Sequence, residues 1–325
     1  MLDSKIQKRK VMIRLTALIA TVSLFSYLRA DSKPDPARTE REVIVAVIDT
    51  GVNIGHEMLR ESIWVNDGEI AGNGRDDDGN GYVDDVCGWD FYNNDASVFH
   101  DVSYVETVSG NEHEDDHGTH VAGLIVTAAS EKIEQLSGSQ NAKIRIMVLK
   151  VNGGAEANGK TADAVKAIEY AEKNGASICN LSWGTYENDP ALKEAIKRSG
   201  MLFICCAGND GSNNDEKPLY PACYTCDNIL AVTGAEIGSE VHITGNYGPE
   251  SVDVCADSVE RFSAVSHGLG FKSGSSMATA DVCGRAAALM SYGKMSPEEV
   301  KRAVIETSQI IPGVTGVRIK GGLVQ

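Results

Sequence analysis

Near-continuous apolar runs alternate with amphipathic ones along most of the chain. EVIVAVIDTG, Glu42 to Gly51, is short, β-branched and closed by glycine, which predicts a strand buried on both faces. KIRIMVLKV (143–151), ASICNLSWG (176–184), MLFICCAGN (201–209) and NILAVTG (228–234) repeat the pattern. Helical periodicity fills the intervals. Residues 118–129 place Val121, Leu124, Ile125 and Ala128 on one face. TADAVKAIEYAEKNG puts Thr161 at the N-cap and stops at Asn174-Gly175. SPEEVKRAVIETS opens with Ser296 as N-cap, Pro297 at the first helical position and Glu299 two further on, a capping box. Such strands alternating with helices predict an α/β fold: one domain built on a doubly wound, mostly parallel sheet with helices on both faces. The chain has no internal repeat.

The first thirty residues depart from this pattern. Lys5, Lys8, Arg9, Lys10 and Arg14 precede an apolar run from Leu15 to Leu28. A basic segment before a run of that length reads as a signal peptide or an uncleaved signal-anchor over residues 1–30. Residues 31–41 then form a polar linker with two prolines, and 42–325 the folded domain. The expectation is a secreted or membrane-anchored protein outside the cytoplasm, a monomer, with any membrane contact made by the N-terminal segment.

Charge sharpens the picture. The 325 residues carry a net charge of −16 although their N-terminus is basic. A body this acidic is repelled by nucleic acid, which is excluded as a partner. Part of the acidity is concentrated in DDDGNGYVDD, residues 76–85. Asp76, Asp78, Asn80, the Tyr82 carbonyl and Asp84 fall at alternating positions of a calcium loop, and Gly81 permits its turn. Structural Ca2+ is therefore expected, and no organic cofactor. Eight cysteines invite a disulfide reading, but Cys179, Cys205, Cys206 and Cys283 sit inside apolar or small-residue runs, where cysteine acts as a small hydrophobe. Free thiols are expected; Cys223 and Cys226 alone form a local C-x-x-C.

The chemistry gathers at strand ends. HEDDHGTHVAG (113–123) parses as the zinc signature H-E-x-x-H on His113 and His117, or as a histidine box centred on His117. Gly118 and the preceding Gly110-Asn111 turn argue against one amphipathic zinc helix. His113 then reads as a solvated loop residue and His120 as structural. Asp49 ends the first strand, Asn209 follows the fourth, and Ser276 precedes a helix in SGSSMATA. A serine hydroxyl needs an adjacent base, which His117 supplies; Asp49 orients the imidazole; Asn209 donates to a developing oxyanion together with the Ser276 N–H.

In that order, VAVIDTG, HGTHVAG, SWG (182–184), AGNDG (207–211) and GSSMA (274–278) resemble the boxes of the subtilisin-like serine proteases, the subtilases. The resemblance covers the chain from about residue 42 to its end. It implies an endopeptidase that cleaves protein or peptide substrates through an acyl-enzyme. Ser182, Trp183 and Gly184, with Ala207 and Gly208, would line the substrate cleft and pair with an extended peptide. It also implies a structural role for His56 and a cis bond at Tyr220-Pro221. One departure matters: after the nucleophile, Ala280, Asp281 and Cys283 replace the usual Pro, His and Ala. Asp281 adds negative charge near the site, so a subtilase-fold protein that binds peptides without cleaving them is the alternative.

Overall fold

The molecule is described by a computed structural model, which covers residues 41–101, 104–107, 110–137, 142–153, 160–293 and 295–325. The N-terminal apolar run and most of the linker lie outside the described residues.

Parallel strands β1 (Arg41–Asp49), β5 (Ala142–Lys150), β6 (Ile178–Leu181), β7 (Leu202–Cys206), β8 (Ile229–Ile237) and β10 (Val254–Asp257) form the sheet, with the short β2 (Gly88–Asp90) at one end. Their order is β10-β8-β7-β6-β1-β5-β2, and β9 (Val241–Ile243) pairs antiparallel with β8. Two hairpins stand apart: β3 (Tyr104–Thr107) with β4 (Gly110–His113), and β11 (Arg261–Val265) with β12 (Gly268–Lys272).

Each long strand is apolar on both faces because both are covered. Val45, Val47, Ile146 and Val148 point to one side, where they meet Val121 and Ile125 of α1 (Asp116–Ser137), Met277 and Val282 of α4 (Ser275–Tyr292), and Val300 of α5 (Pro297–Thr307). Ala46, Ile48, Met147 and Leu149 point to the other, against Ala167 and Ile168 of α2 (Thr161–Lys173) and Leu192 and Ile196 of α3 (Pro190–Arg198). Alternation of side-chain direction along a strand sends consecutive residues into separate cores. Helix α4 is the innermost element: every residue from Ser275 to Leu289 is buried, which its small, apolar composition allows.

The chain leaves β1 through α1 to β5 on one side and returns through α2 to β6 on the other. That reversal opens a crevice at the carboxyl end of β1, where ligands bind in open α/β sheets. Several local expectations are corrected. The first helix begins at Asp116 and runs to Ser137. Thr161 is already helical; Lys160 is the N-cap, and the Thr161 hydroxyl donates to Asp189 instead. The Ser296–Glu299 capping box is present. The apolar pattern does not predict α3, although Asp189 caps it and Pro190 occupies its first position.

Candidate active site

Asp49 is the last residue of β1 and is 1% exposed. Its Oδ1 accepts the His117 Nδ1–H at 2.7 Å and the Thr50 N–H at 2.8 Å. His117 is the second residue of α1, and its imidazole is about one third exposed. With Nδ1 donating, Nε2 carries the lone pair. The Thr50 hydroxyl accepts the Gly118 N–H at 3.1 Å, a second tie between helix and strand end. Gly118 is buried against that strand end: a Cβ there would stand 2.2 Å from the Gly51 carbonyl oxygen and 3.2 Å from Asp49 Oδ1. Only glycine lets the helix come this close.

The serine arrives from the opposite wall. Ser276 is the second residue of α4, where the first-turn N–H groups have no carbonyl one turn back within the helix. Its Oγ donates to the Ser182 carbonyl at 2.9 Å, and the Ser182 hydroxyl donates to the Ser276 carbonyl at 3.1 Å. Val47 pairs with Asn180 across β1 and β6, so continuing that register sets Ser182 level with Asp49. The Trp183 indole N–H, donated to the Ile48 carbonyl at 2.9 Å, holds the two segments together. Ser276 is thereby bound to the segment running beside Asp49.

Asn209 follows β7 through Ala207 and Gly208. Its Oδ1 accepts the Ser275 N–H at 2.8 Å. That bond fixes the amide plane and leaves Nδ2 as a donor on the side of the α4 N-terminus. Ala207 is fully buried, and its carbonyl accepts from the Asn214 side chain. Ser182 is also buried, whereas Trp183 is partly buried against the second core and Gly184 abuts Leu219 and Tyr220. The Tyr220-Pro221 bond is cis.

The other histidines separate cleanly. His113 ends strand β4 while His117 lies on α1, so the two do not share a helical face and the zinc spacing is broken. The His113 side chain is outside the described residues. His120 is buried, donates Nε2–H to the Arg261 carbonyl at 2.9 Å, and burial lowers its pKa to about 4. His56 accepts the Met58 N–H on Nδ1 and therefore donates Nε2–H to the Gly268 carbonyl at 2.7 Å. Both pin helix or loop to the β11–β12 hairpin. Asp281 does not leave bare charge near Ser276: Arg285 Nε at 2.7 Å and Arg261 Nη2 at 3.2 Å neutralise it. All eight cysteines are unpaired, and burial raises the Cys206 thiol, beside Ser275, to about 12.

The acidic loop folds on itself differently from its sequence spacing. Asp76 accepts the Asn80 and Gly81 N–H groups, and Asp84 turns away to accept those of Asn73 and Gly74. Asn80 accepts the Tyr82 N–H, and the Tyr82 ring packs on Trp89, Phe91 and Tyr170. The carboxylate oxygens that converge within 4.8 Å of one another come from Glu69, Asp78 and Asp85. Of the alternating positions picked from the sequence, Asp78 alone belongs to this trio; Asp85, the next residue after them and a candidate to close the shell, supplies a second carboxylate, and Glu69 the third. Asn66 Nδ2 donates to both Asp78 and Asp85, and burial raises the Asp85 pKa. Three carboxylates this close repel one another unless a cation or a proton intervenes. Hard oxygen donors in that arrangement fit calcium.

Comparison with known proteins places these residues in context. A family model described as the subtilase family matches residues 40–320. The chain is 30% identical to the thermophilic serine proteinase of Bacillus sp. (strain AK1) over 283 residues, 86% of this chain and 59% of that one. It is 29% identical to the major intracellular serine protease of Bacillus subtilis (strain 168), covering 79% of this chain and 70% of that protein. The crystal structure of a cold adapted subtilisin-like serine proteinase superposes with a TM-score of 0.61 at 22% identity, covering 90% of this chain and 92% of that one. The chain thus spans about three fifths of the first relative's length.

Proposed function

Since the chain belongs to the subtilase family, we propose that it is a serine endopeptidase with Asp49, His117 and Ser276 as its triad. The observation that carries this reading is the 2.7 Å bond from His117 Nδ1 to Asp49, at the end of the strand beside which Ser182 engages the Ser276 hydroxyl. The chemistry follows from the positions. His117 Nε2 takes the Ser276 proton as Oγ attacks a substrate carbonyl. Asp49 holds the imidazole in the Nδ1–H tautomer and stabilises its cation. The Asn209 Nδ2–H and the Ser276 N–H receive the charge that develops on the carbonyl oxygen. His117 then protonates the leaving amine, and an acyl-serine remains. A water, deprotonated by the same nitrogen, releases it. Ser182 to Gly184, continuing the line of β6, offer an edge for an extended peptide. Glu69, Asp78 and Asp85 would hold Ca2+, which would supply counter-charge to the three carboxylates.

The binding-only alternative has one observation in its favour: the Ser276 hydroxyl is engaged with the Ser182 carbonyl. Rotation about a single side-chain bond releases it, and triad hydrogen bonds commonly tighten only with substrate bound. Labelling with a fluorophosphonate decides. The intact protein should label and hydrolyse peptides, and Ser276→Ala should do neither. A folded protein that refuses the probe from pH 5 to 9 would establish the binder.

A further inference from the structure

Lys150 ends β5 with none of its surface exposed. A lysine is almost never so enclosed unless it is paired, and its flexible stem usually carries the ammonium to water. Here Nζ donates to the Thr50 carbonyl, to Glu114 Oε1 at 2.6 Å and to Asp115 Oδ1 at 2.5 Å. Thr50 is the residue after Asp49, and Glu114 and Asp115 lie just before His117. One ammonium therefore joins the chain leaving the proposed triad aspartate to the chain entering the proposed base.

Charged and titratable groups approach Lys150 from several elements. From β1 and β2, Asp49 and Asp90 stand in register with Lys150, so their side chains share its face of the sheet. From the turn before α1 come Glu114 and Asp115, and from α1 itself His117. From the loop after β2, His100 donates its backbone N–H to Asp115 Oδ2 at 2.5 Å, and its ring nitrogen lies 4.0 Å from Glu114. Asp115 is also wedged against the backbone: a Cβ on Gly51, which has φ +119, would stand 2.6 Å from its carboxylate. Burial raises the pKa of both Asp90 and Asp115, and the ammonium opposes that rise.

We infer that Lys150 is a positioning residue, whose ammonium clamps the Glu114–Asp115 turn onto Thr50 and so fixes the spacing and charge felt by the Asp49–His117 pair. This rests on the peptidase reading, because a clamp on the pair matters to catalysis only if the pair is used. It differs from a purely structural ion pair in what it should move.

The test compares wild type, Lys150→Met, Lys150→Arg and Glu114→Gln, each checked for folding by circular dichroism. Two readouts are taken: kcat and KM against pH on a fluorogenic peptide, and the His117 ring titration by NMR in the Ser276→Ala background. Removing the cation should favour imidazolium, so in Lys150→Met the acid limb should move up by roughly half a pH unit. Removing one anion in Glu114→Gln should move it down. Lys150→Met should lose on the order of 100-fold in kcat, the penalty for a misplacement of about 1 Å, with KM nearly unchanged. Lys150→Arg should recover part of the loss. If Lys150→Met does not fold, Glu114→Gln alone decides, with an expected kcat loss of several-fold and the downward shift. Folded variants that keep wild-type kcat and ring titration, or that shift in the same direction, overturn the inference. A wild type that cleaves no peptide sinks the peptidase reading instead, and the ring titration still decides whether Lys150 sets the pair.

Discussion

Gly118→Ala puts the close packing of α1 on β1 to a direct test. In an open helix this exchange stabilises by about 1 kcal/mol, because alanine is the better helix former. The structure predicts the opposite sign. The new Cβ would lie 2.2 Å from the Gly51 carbonyl oxygen, a backbone atom with no rotamer to change, and 3.2 Å from Asp49 Oδ1. Comfortable carbon–oxygen contact needs roughly 1 Å more. The N-terminus of α1 must therefore retreat by about that amount, which stretches both the 2.7 Å His117–Asp49 bond and the 3.1 Å bond from the Gly118 N–H to Thr50. Overpacking of this kind costs about 1–3 kcal/mol, more than the helical gain. Misplacing the base by about 1 Å should lower kcat on the order of 100-fold. The assay pairs thermal unfolding in the Ser276→Ala background, where self-digestion is absent, with steady-state kinetics on the active chain. A Gly118→Ala protein that melts higher than its parent and turns over at the same rate would refute the close approach and the spacing argument built on it.

Other perturbations probe the remaining parts. Asn209→Ala should lower kcat by roughly 100- to 1000-fold and leave KM close to its starting value, since the amide acts on charge that exists only in the transition state; a change confined to KM would remove that role. His120 is held neutral by burial, with its pKa lowered to about 4. As pH falls from 6.5 towards 4, the unfolded chain takes up a proton that the folded chain refuses, so stability falls, by roughly 3 kcal/mol at most from this group. Urea midpoints of His120→Gln should therefore depend less on pH in that window, and parallel curves would reject the assignment. A calcium chelator should lower the melting temperature, and Asp85→Asn should abolish the response; identical melting with and without chelator would remove the site.

The parts of the fold that could be read from sequence are those where one physical demand dominates. β1, β5, β7 and β8 are enclosed on both faces, so their apolar runs are nearly unbroken. The three-residue β2 and β9 are strands because of their neighbours, and nothing local marks them. α3 carries a start signal, Asp189-Pro190, but within a polar segment whose three buried positions, Leu192, Ala195 and Ile196, make a weak helical period. At the proposed site, the Asp49–His117 pair and the positions of Asn209 and Ser276 at element ends are legible because each residue sits in a motif. Glu69 is not: it precedes the acidic run and joins Asp78 and Asp85 only through the folded loop. Asp281 is neutralised by Arg285, one turn on in the same helix and so visible as an i,i+4 pair, while its second partner, Arg261, comes from the preceding hairpin. Lys150 was hidden in the opposite way, as one charged residue at the end of a buried run, with its ligands on distant segments.

The enclosure of α4 has a consequence for how the protein ages and fails. The proposed nucleophile rides on a helix buried from Ser275 to Leu289, and core segments of this kind open only with global unfolding. Fraying at the surface leaves it untouched, and its loss coincides with collapse of the whole interior. Covalent tagging of Ser276 along a denaturation series would then count intact molecules, each one either fully competent or silent.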